Sequence, residues 1–399
     1  MDAGFGSWLF VMSVGASALG GMLGMASGIF IVPILTLFGG VDLRTAIGAS
    51  IVSVIACSCG SAASFLEGGL TNVRLAIVLE TATTLGALTG VFFVGLAPVP
   101  FLYGLFAVVL LVSARQMLAR RSDRAGTSIA DPPGNWADKL RLHASYPDHL
   151  LGRSVTYQVR QLPQGMFLMY GAGMISALLG IGSGVLKIPA MDTALRLPIK
   201  VSSATSNFMI GVTAAASAGA YFIRGDIVPS IAGPVALGSV LGSVVGARIL
   251  MRVSNEKVRV LFVVVLIALA AQMRFPHRVV WKSRMITDDK AVDDTHRMDL
   301  LLARQLRYGI WLASSVTALG MIVALFGRWI IPHGHTITLG TSIVAKGIAL
   351  IILLPILRVV LMLIVFLRER NYLFGMISCI VLMTIGASVI AGFYGPTIH

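Results

Sequence analysis

The sequence predicts an all-α polytopic membrane protein, in which two four-helix repeats with Gly/Pro-interrupted first helices precede three further transmembrane helices. Hydrophobic residues make up 56% of the 399 residues, charged residues only 12%, and the mean hydropathy is +0.88. Apolar runs about as long as a bilayer crossing follow one another along the chain, which indicates about 11 spans. A glycine-rich motif that ends in proline also occurs twice, as GMASGIFIVP and GIGSGVLKIP.

Polar residues, glycine and proline separate the apolar windows. The predicted spans lie near 8–38, 45–66, 75–96, 99–118, 166–195, 201–223, 228–250, 258–273, 306–331, 341–367 and 373–394. Two hydrophilic intervals interrupt this series. The predicted organisation is a first repeat at 8–118, a polar cytoplasmic loop at 119–164, a second repeat at 165–273, a polar cytoplasmic linker at 274–305 and a three-span C-terminal domain at 306–394.

The excess of Lys and Arg over Asp and Glu, 31 against 17, indicates membrane topology. The basic residues gather in the two hydrophilic intervals without any nucleic-acid motif, so we expect both intervals to face the cytoplasm. Four spans before the first interval then place the N-terminus in the cytoplasm and give the two repeats one orientation. A re-entrant first segment would invalidate this count. One basic group disagrees with this topology, because the count of spans places it on the outer side of the membrane: Arg248, Arg252, Lys257 and Arg259.

The two copies of the glycine-rich motif align at an offset of 156 residues. The identities are Gly24, Ser27, Gly28 and Pro33 over Gly180, Ser183, Gly184 and Pro189. A helix of about 30 residues would be roughly 45 Å long against about 30 Å of hydrocarbon, so each first segment must break or tilt. Paired interruptions are typical of secondary transporters, whose discontinuous helices surround a midplane site where backbone N–H groups meet an anion. Alternatively, glycines four residues apart only let helices pack closely.

These motifs, together with RTAIGASIVSVI, IKVSSATSNFMI, GALTG and GSVVG, resemble those of the TauE/SafE family of sulfite and organosulfonate transporters over roughly 8–273. The resemblance implies an integral permease of two four-helix repeats that moves small sulfur-containing anions, often outward. The chain carries Ala26-Ser27 and Gly182-Ser183 where members commonly carry consecutive glycines. Residues 306–394 resemble a three-span membrane family of unknown function that is often found beside such permeases.

Lys187 stands inside the second glycine-rich motif, where its counterpart in the first copy is Ile31. A cation at the centre of a lone membrane helix costs about 2.5–3.5 kcal/mol, so it must snorkel, pair, or face water or a ligand. Our hypothesis is that Lys187 supplies positive charge to an anion held by backbone N–H groups of 180–184 and by nearby hydroxyls. The alternative is that Lys187 snorkels to a headgroup or pairs with Asp192.

Hydroxyl and amide donors in the second span of each repeat suit the oxygens of sulfite or a sulfonate. The same groups commonly make hydrogen bonds between helices, and this alternative stays open. The predicted substrate-binding residues are Ser27, Gly28, Ser50, Gly182, Ser183, Gly184, Lys187, Thr205, Ser206 and Asn207.

Glu80 lies well inside the third predicted span, in AIVLETATTLG. A carboxylic acid in the membrane interior is either protonated or partnered, so Glu80 is the candidate for carrying a coupling proton, with Arg74 as a possible electrostatic neighbour. The alternative is a structural hydrogen bond to Thr83 or Thr84.

Other classes of function have little support in the sequence. There is no catalytic signature, no nucleotide-binding loop and no spaced metal or cofactor site, so we expect neither an enzyme nor a cofactor. Two alternatives stay open: a channel-like or lipid-handling membrane protein, and an intramembrane thiol enzyme acting through Cys57 or Cys59. The expected partners are a small sulfur oxyanion and the lipid bilayer of a bacterial-type cytoplasmic membrane, with homo-oligomerisation left open.

Two cations in the tenth predicted span have no evident role. Lys346 and Arg358 are twelve residues apart, and they suit either lipid phosphates or a partner helix. The contribution of the last three spans is equally open.

Overall fold

The computed structural model describes residues 3–25, 27–93, 115, 136–140, 142–148, 153–179, 184–223, 225–273, 295–330, 335–368, 370 and 372–394. The elements are α1 Ala3–Leu23, α2 Gly28–Leu37, α3 Leu43–Glu67, α4 Val73–Phe93, α5 Trp136–Lys139, β1 Ala144–Asp148, β2 Arg153–Tyr157, α6 Leu162–Leu179, α7 Gly184–Thr193, α8 Ile199–Ile223, α9 Pro229–Arg252, α10 Asn255–Met273, α11 Thr295–Ile330, α12 His335–Arg368 and α13 Tyr372–Tyr394.

The predicted fold class is confirmed: long apolar helices dominate, and the two strands form one short antiparallel hairpin, with Ala144 opposite Tyr157. Of the helices in the described ranges, five are long and apolar enough to cross a membrane: Gly4–Leu23, Thr45–Glu67, Pro229–Arg252, Leu300–Ala324 and Leu339–Arg368. The predicted span near 99–118 apart from Arg115, about half of the first hydrophilic interval and most of the second lie outside the described residues.

The internal repeat appears in the helix boundaries. Helices α2 and α7 begin and end 156 residues apart, and α3 and α8 do the same. Their packing is reciprocal as well: α1 packs along α9 while its counterpart α6 packs along α4, and α3 lies beside α8. The two copies therefore exchange equivalent contacts around a shared centre.

The first segment of each copy is broken at its glycines, as expected. Helix α1 ends at Leu23, Gly24 adopts a left-handed φ of +71°, and α2 begins at Gly28. A Cβ on Gly24 would stand 2.5 Å from the carbonyl oxygen of Ser203, so both conformation and space require glycine here. In the second copy α6 ends at Leu179 and α7 begins at Gly184, and residues 180–183 lie outside the described part.

The chain reverses direction at each break. A Cβ on Gly39, just past α2, would lie 3.3 Å from the Trp8 indole, so the end of α2 returns to the level where α1 begins. The Arg160 backbone N–H donates to the Leu195 carbonyl at 3.2 Å, so the end of α7 likewise returns to the start of α6. Each first segment is therefore a re-entrant helical hairpin and not a single crossing.

Re-entrance inverts one repeat relative to the other. The β1–β2 hairpin packs at one end of the bundle, where the side chain of Asn72, between α3 and α4, donates to the Leu142 carbonyl at 2.9 Å. The beginning of α3 lies at the other end, where Gly48 touches the backbone of Asp226. The first copy therefore starts at the end of the bundle opposite the β1–β2 hairpin, whereas the second copy starts at the end where the β1–β2 hairpin packs, which we call the hairpin end. The expectation of one shared orientation is wrong, because it counted each broken segment as a crossing.

The inverted arrangement also accounts for the basic group that disagreed with the sequence-based topology. Helix α9 ends at Arg252, and α10 begins at Asn255, whose side-chain amide donates to the Tyr146 hydroxyl of the β-hairpin at 3.2 Å. The group at 248–259 thus shares the hairpin end with the first hydrophilic interval. The N-terminus lies at the other end, so the prediction that the N-terminus and this interval face the same compartment is wrong.

Small residues set the separation between paired helices. Gly238, Gly242 and Gly246 of α9 lie directly against the backbone of α1. In the reciprocal pair, Gly86 of α4 and Gly173 of α6 each lie directly against the backbone of the other helix. These glycines serve close helix packing, which is the alternative that the sequence left open for glycines at this spacing.

The last three helices pack against the transporter-like repeats. Helix α11 contacts α3, α12 contacts α8, α9 and α3, and α13 contacts α8. At the hairpin end the Arg307 guanidinium pairs with the Glu67 carboxylate. The C-terminal segment is therefore continuous with the bundle on the face formed by α3, α8 and α9.

Candidate functional site

The two helix breaks meet in the interior of the bundle. A Cβ on Gly184, the first residue of α7, would lie 3.0 Å from the Gly24 carbonyl oxygen and 3.0 Å from the Met25 carbonyl carbon. We call the surroundings of this meeting point the central site, which comprises Gly24, Glu80, Gly184, Lys187, Ser206, Asn207 and Thr213. The backbone groups at Gly24 and Gly184 stand at helix breaks, so they lack the partners that a continuous helix would provide.

A buried ion pair occupies the central site. Lys187 Nζ of α7 lies 2.6 Å from Glu80 Oε2 of α4, and the two residues are 0% and 3% exposed. The Thr213 hydroxyl of α8 donates to the other carboxylate oxygen, Oε1, at 2.5 Å. The pair joins the second repeat to the first across the bundle.

The pairing excludes the simpler roles considered from the sequence. Lys187 does not snorkel, because it is wholly buried, and Asp192 instead accepts a hydrogen bond from Arg259 at 2.8 Å. The Thr83 hydroxyl donates to the Leu79 carbonyl at 2.9 Å and so does not hold Glu80, while the Thr84 side chain lies outside the described part. Glu80 and Lys187 were both singled out in the sequence, but not as partners, since 107 residues separate them.

Ser206 and Asn207 secure the first break. The Ser206 hydroxyl donates to the Gly24 carbonyl at 2.7 Å, and the Asn207 amide donates to the Gly21 carbonyl at 2.5 Å. These carbonyls lie at the C-terminal end of α1, where the helix leaves its last acceptors without intrahelical donors. The predicted residues Ser206 and Asn207 thus lie in the central site, and in this conformation they donate hydrogen bonds to the free carbonyls at the end of α1.

Other predicted binding residues lie nearby in buried contacts. The Thr205 hydroxyl accepts from the Asn72 backbone N–H at 3.2 Å. Ser27 Oγ is 2.7 Å from Ser53 Oγ, which is 2.5 Å from Ser239 Oγ. This serine chain links the start of α2 to α3 and α9, and sequence reasoning missed its last two members because serine is common in packed membrane helices.

The remaining predicted residues divide into two groups. A Cβ on Gly28 would lie 2.7 Å from Ser50 Oγ, so these two residues touch where α2 crosses α3. Gly182 and Ser183 lie outside the described residues.

The two cysteines of α3 occupy packing positions. Cys57 and Cys59 are both 0% exposed, and the Cys57 thiol lies 3.6 Å from the Ser17 carbonyl as a donor. Within the described ranges no three His, Cys, Asp or Glu side chains are arranged to hold a metal ion. Ion pairing and hydrogen-bond donation are therefore the chemistry that the central site offers.

Inverted repeats whose broken helices meet in the middle of a membrane bundle are typical of membrane transporters. The family described as Sulfite exporter TauE/SafE matches residues 9–273, and the chain belongs to that family. Residues 302–390 match a second family, described as a protein of unknown function (DUF1634).

A curated relative agrees with this class. The chain is similar to the "Probable membrane transporter protein YunE" of Bacillus subtilis (strain 168), with 24% identity over 272 residues that cover 66% of this chain and 96% of the relative. No solved structure matches the chain significantly. The protein is accordingly a multi-pass membrane transporter, and the family resemblance seen in its motifs is confirmed.

Proposed function

We propose that the protein exports a small sulfur-containing anion, such as sulfite or an organosulfonate, across the cytoplasmic membrane of a bacterial cell by proton-coupled secondary transport. The class of substrate and the direction follow from the description of the family. The single observation that supports anion binding and coupling is the buried Lys187–Glu80 pair where the two helix breaks meet.

Lys187 is placed to attract an anion. It lies one turn into α7, and the N-terminus of that helix at Gly184 adds the positive end of the helix dipole. In a low-dielectric interior these two sources of positive potential act with little screening. An anion that enters the central site therefore finds its most favourable position at the Lys187 ammonium.

Glu80 competes with the anion for the same ammonium. A carboxylate and a bound anion on one lysine repel each other strongly in a dry site, whereas a protonated Glu80 removes that repulsion. Substrate binding and protonation of Glu80 thus favour each other. A monovalent anion and this proton together carry no net charge, so the membrane potential does not drive their joint movement. Export then runs down an outward anion gradient, and a pH gradient that is acidic outside opposes it.

The surrounding donors complete the proposed substrate site. Ser206 and Asn207 contact the first break, which lies against the start of α7, the helix of Lys187. The other predicted substrate-binding residues belong to the sequence of the two breaks or to the helices beside them: Ser27, Gly28, Ser50, Gly182, Ser183, Gly184 and Thr205. We propose that Ser206 and Asn207 exchange their helix-capping hydrogen bonds for substrate oxygens when the re-entrant hairpins move during transport, and that the other groups complete the site.

The proposed orientation follows the distribution of charge. Basic residues collect at the hairpin end of the bundle, and this end is therefore assigned to the cytoplasm. The N-terminus then lies at the outer face, which replaces the cytoplasmic N-terminus expected from the sequence.

The test uses purified full-length protein in proteoliposomes and follows sulfite flux with and without an imposed pH gradient. Taurine, sulfoacetate, thiosulfate and sulfate serve as competitors, and a saturable, gradient-dependent flux is the expected result. Lys187→Ala should abolish flux, while Lys346→Ala, which removes an exposed lysine of α12, should not. Glu80→Gln should retain exchange but lose its response to the pH gradient. Full transport by Lys187→Ala would refute the proposed site, and non-saturating conductance would point to a channel.

A further inference from the structure

The β1–β2 hairpin lies on the bundle with one of its two faces. In β1, Tyr146 is 2% exposed while its neighbour Ser145 is exposed, and the ring of Tyr157 in β2 lies 6.3 Å from the Tyr146 ring. Thr156, which pairs with Ser145 across the strands, is exposed as well. The two tyrosines therefore share the face toward the bundle. Because a two-stranded hairpin is at best marginally stable alone, its contacts with the bundle hold it in place.

Tyr157 attaches the hairpin to the paired helices α4 and α6. The side-chain amide of Asn72, just before α4, donates to the Tyr157 hydroxyl at 3.1 Å and to the Leu142 carbonyl at 2.9 Å. Asn72 Oδ1 accepts from the backbone N–H of Leu75 at 3.0 Å and so caps α4. Strand β2 also continues into α6, which begins at Leu162. The hairpin, α4 and α6 thus form one unit.

Tyr146 reaches across to the other helix pair, α1 and α9. Its hydroxyl accepts a hydrogen bond from the side-chain amide of Asn255 at 3.2 Å. Asn255 is the first residue of α10 and follows the end of α9 at Arg252. Asn255 Oδ1 also accepts from the backbone N–H of Lys200, at the start of α8, at 3.4 Å. The hairpin therefore connects the two helix pairs at the hairpin end of the bundle.

The central site lies between the same two helix pairs. Glu80 belongs to α4, whereas Gly24 follows the end of α1. Within each pair the helices touch backbone to backbone at glycines, so we expect each pair to move as one body. Alternating access in transporters with inverted repeats is the movement of one such body against another around a fixed site. An opening of the central site toward the hairpin end separates the pairs that Tyr146 and Asn255 connect.

We propose that the β1–β2 hairpin is the gate of the central site at the hairpin end, and that the hydrogen bond between Tyr146 and Asn255 must break before an anion enters from that side. The proposal rests on the proposed function for the identity of the anion and for the assignment of this end to the cytoplasm. The repeats place equivalent helices at both ends of the bundle, but the two strands of this hairpin are the only strands among the residues that the structure describes. The gate therefore distinguishes the cytoplasmic opening from the opposite one.

The test compares Tyr146→Phe with Tyr157→Phe in the full-length protein. Each change removes one hydroxyl and keeps the ring, but the Tyr146 hydroxyl binds Asn255 beyond α9, whereas the Tyr157 hydroxyl binds Asn72 beside α4. With the native cysteines replaced, a cysteine at Ser206 reports access to the central site through its reaction with an impermeant thiol reagent in inside-out vesicles. Tyr146→Phe should raise the labelling rate about three- to ten-fold, the effect of one lost hydrogen bond on an opening equilibrium. Tyr157→Phe should leave the labelling rate unchanged.

Two results of the labelling experiment would overturn the proposal. If Tyr146→Phe is labelled at the wild-type rate, the hydrogen bond to Asn255 does not keep the site closed. If Tyr146→Phe and Tyr157→Phe raise the rate equally, the hydroxyls only hold the hairpin on the bundle and neither acts as a gate.

A reversible cross-link tests the gate during transport. Cysteines at Tyr146 and Asn255, joined by a bifunctional thiol reagent with a cleavable spacer, should abolish sulfite flux in proteoliposomes, and cleavage of the spacer should restore it. The matched control joins cysteines at Ser145 and Thr156, which pair across the exposed face of the hairpin, and should leave the flux unchanged. Full flux with the cross-link between positions 146 and 255 in place would overturn the proposal.

Failure of the proposed function gives a different pattern from failure of the gate. If the wild-type protein moves none of the sulfur anions, the proposed function fails, but the labelling of the cysteine at Ser206 requires no transport and still tests the gate. A cysteine at Ser145 identifies the vesicles that expose the hairpin end, so the labelling test does not depend on the proposed orientation. If Ser206→Cys cannot be purified, the cross-link decides.

Discussion

Removing the charge of Lys187 should destabilise the protein, and removing the charge of Glu80 as well should restore the stability without restoring transport. In Lys187→Met, Glu80 keeps its hydrogen bond from Thr213 but loses the cation 2.6 Å away. Breaking a buried ion pair from one side typically costs about 3–5 kcal/mol, because an uncompensated charge is left in the interior. Replacing both partners by uncharged groups of similar volume is often neutral.

The double variant Lys187→Met/Glu80→Gln should therefore recover most of the free energy of unfolding that Lys187→Met loses, which is about 3–5 kcal/mol. The assay is thermal unfolding of the purified variants in detergent, with sulfite flux measured on the same preparations in proteoliposomes. Glu80→Gln alone supplies the second arm of a double-mutant cycle and measures the coupling between the two side chains.

Two outcomes would show that the pair does not have these roles. If the double variant is no more stable than Lys187→Met, the pair does not supply the compensating charge at this position. If the double variant transports like the wild type, neither residue belongs to the transport site.

Further predictions concern the break, its caps and the topology. Gly24→Ala should lower the Tm markedly, because a Cβ would meet the Ser203 carbonyl at 2.5 Å. Gly40 has a similar φ of +61° but open space around it, so Gly40→Ala should lower the Tm less. Equal losses of Tm would show that the backbone conformation alone requires glycine. Ser206→Ala should cost about 1–3 kcal/mol in thermal unfolding because it leaves the Gly24 carbonyl without its donor, and an unchanged Tm would argue against the cap. In a cysteine-free background, cysteine at Ser145 of the β-hairpin should react with an impermeant thiol reagent only from the cytoplasm and cysteine at Ser7 only from outside; labelling of both from one side would contradict the inverted repeats.

The sequence predicted the breaks because their cause is local. A left-handed φ and a close backbone approach at Gly24 both require the absence of a Cβ, and the second glycine-rich motif repeats the pattern at Gly184. The direction of the chain after each break could not be predicted in this way. Hydropathy measures how much apolar chain lies in lipid, but a re-entrant hairpin and a long tilted helix have the same hydropathy.

The partners in the central site also depended on tertiary structure. The sequence offered Asp192 to Lys187 because it is five residues away, whereas the actual partner is Glu80, on a helix of the other repeat. The repeat offset alone could not identify this pair, since Lys187 has no charged counterpart in the first copy. The partner of Arg358 could not be predicted either, because the fold of α12 against α8 places its guanidinium on the Phe208 carbonyl, 150 residues away in the sequence.

In the proposed mechanism the anion and the proton bind the same site and move together. The most direct measurement follows sulfite and proton movement simultaneously in proteoliposomes, with the membrane potential clamped. We expect saturable sulfite flux accompanied by about one proton per monovalent anion in the wild type, and loss of that proton in Glu80→Gln. Saturable sulfite flux without any proton movement in the wild type would contradict it.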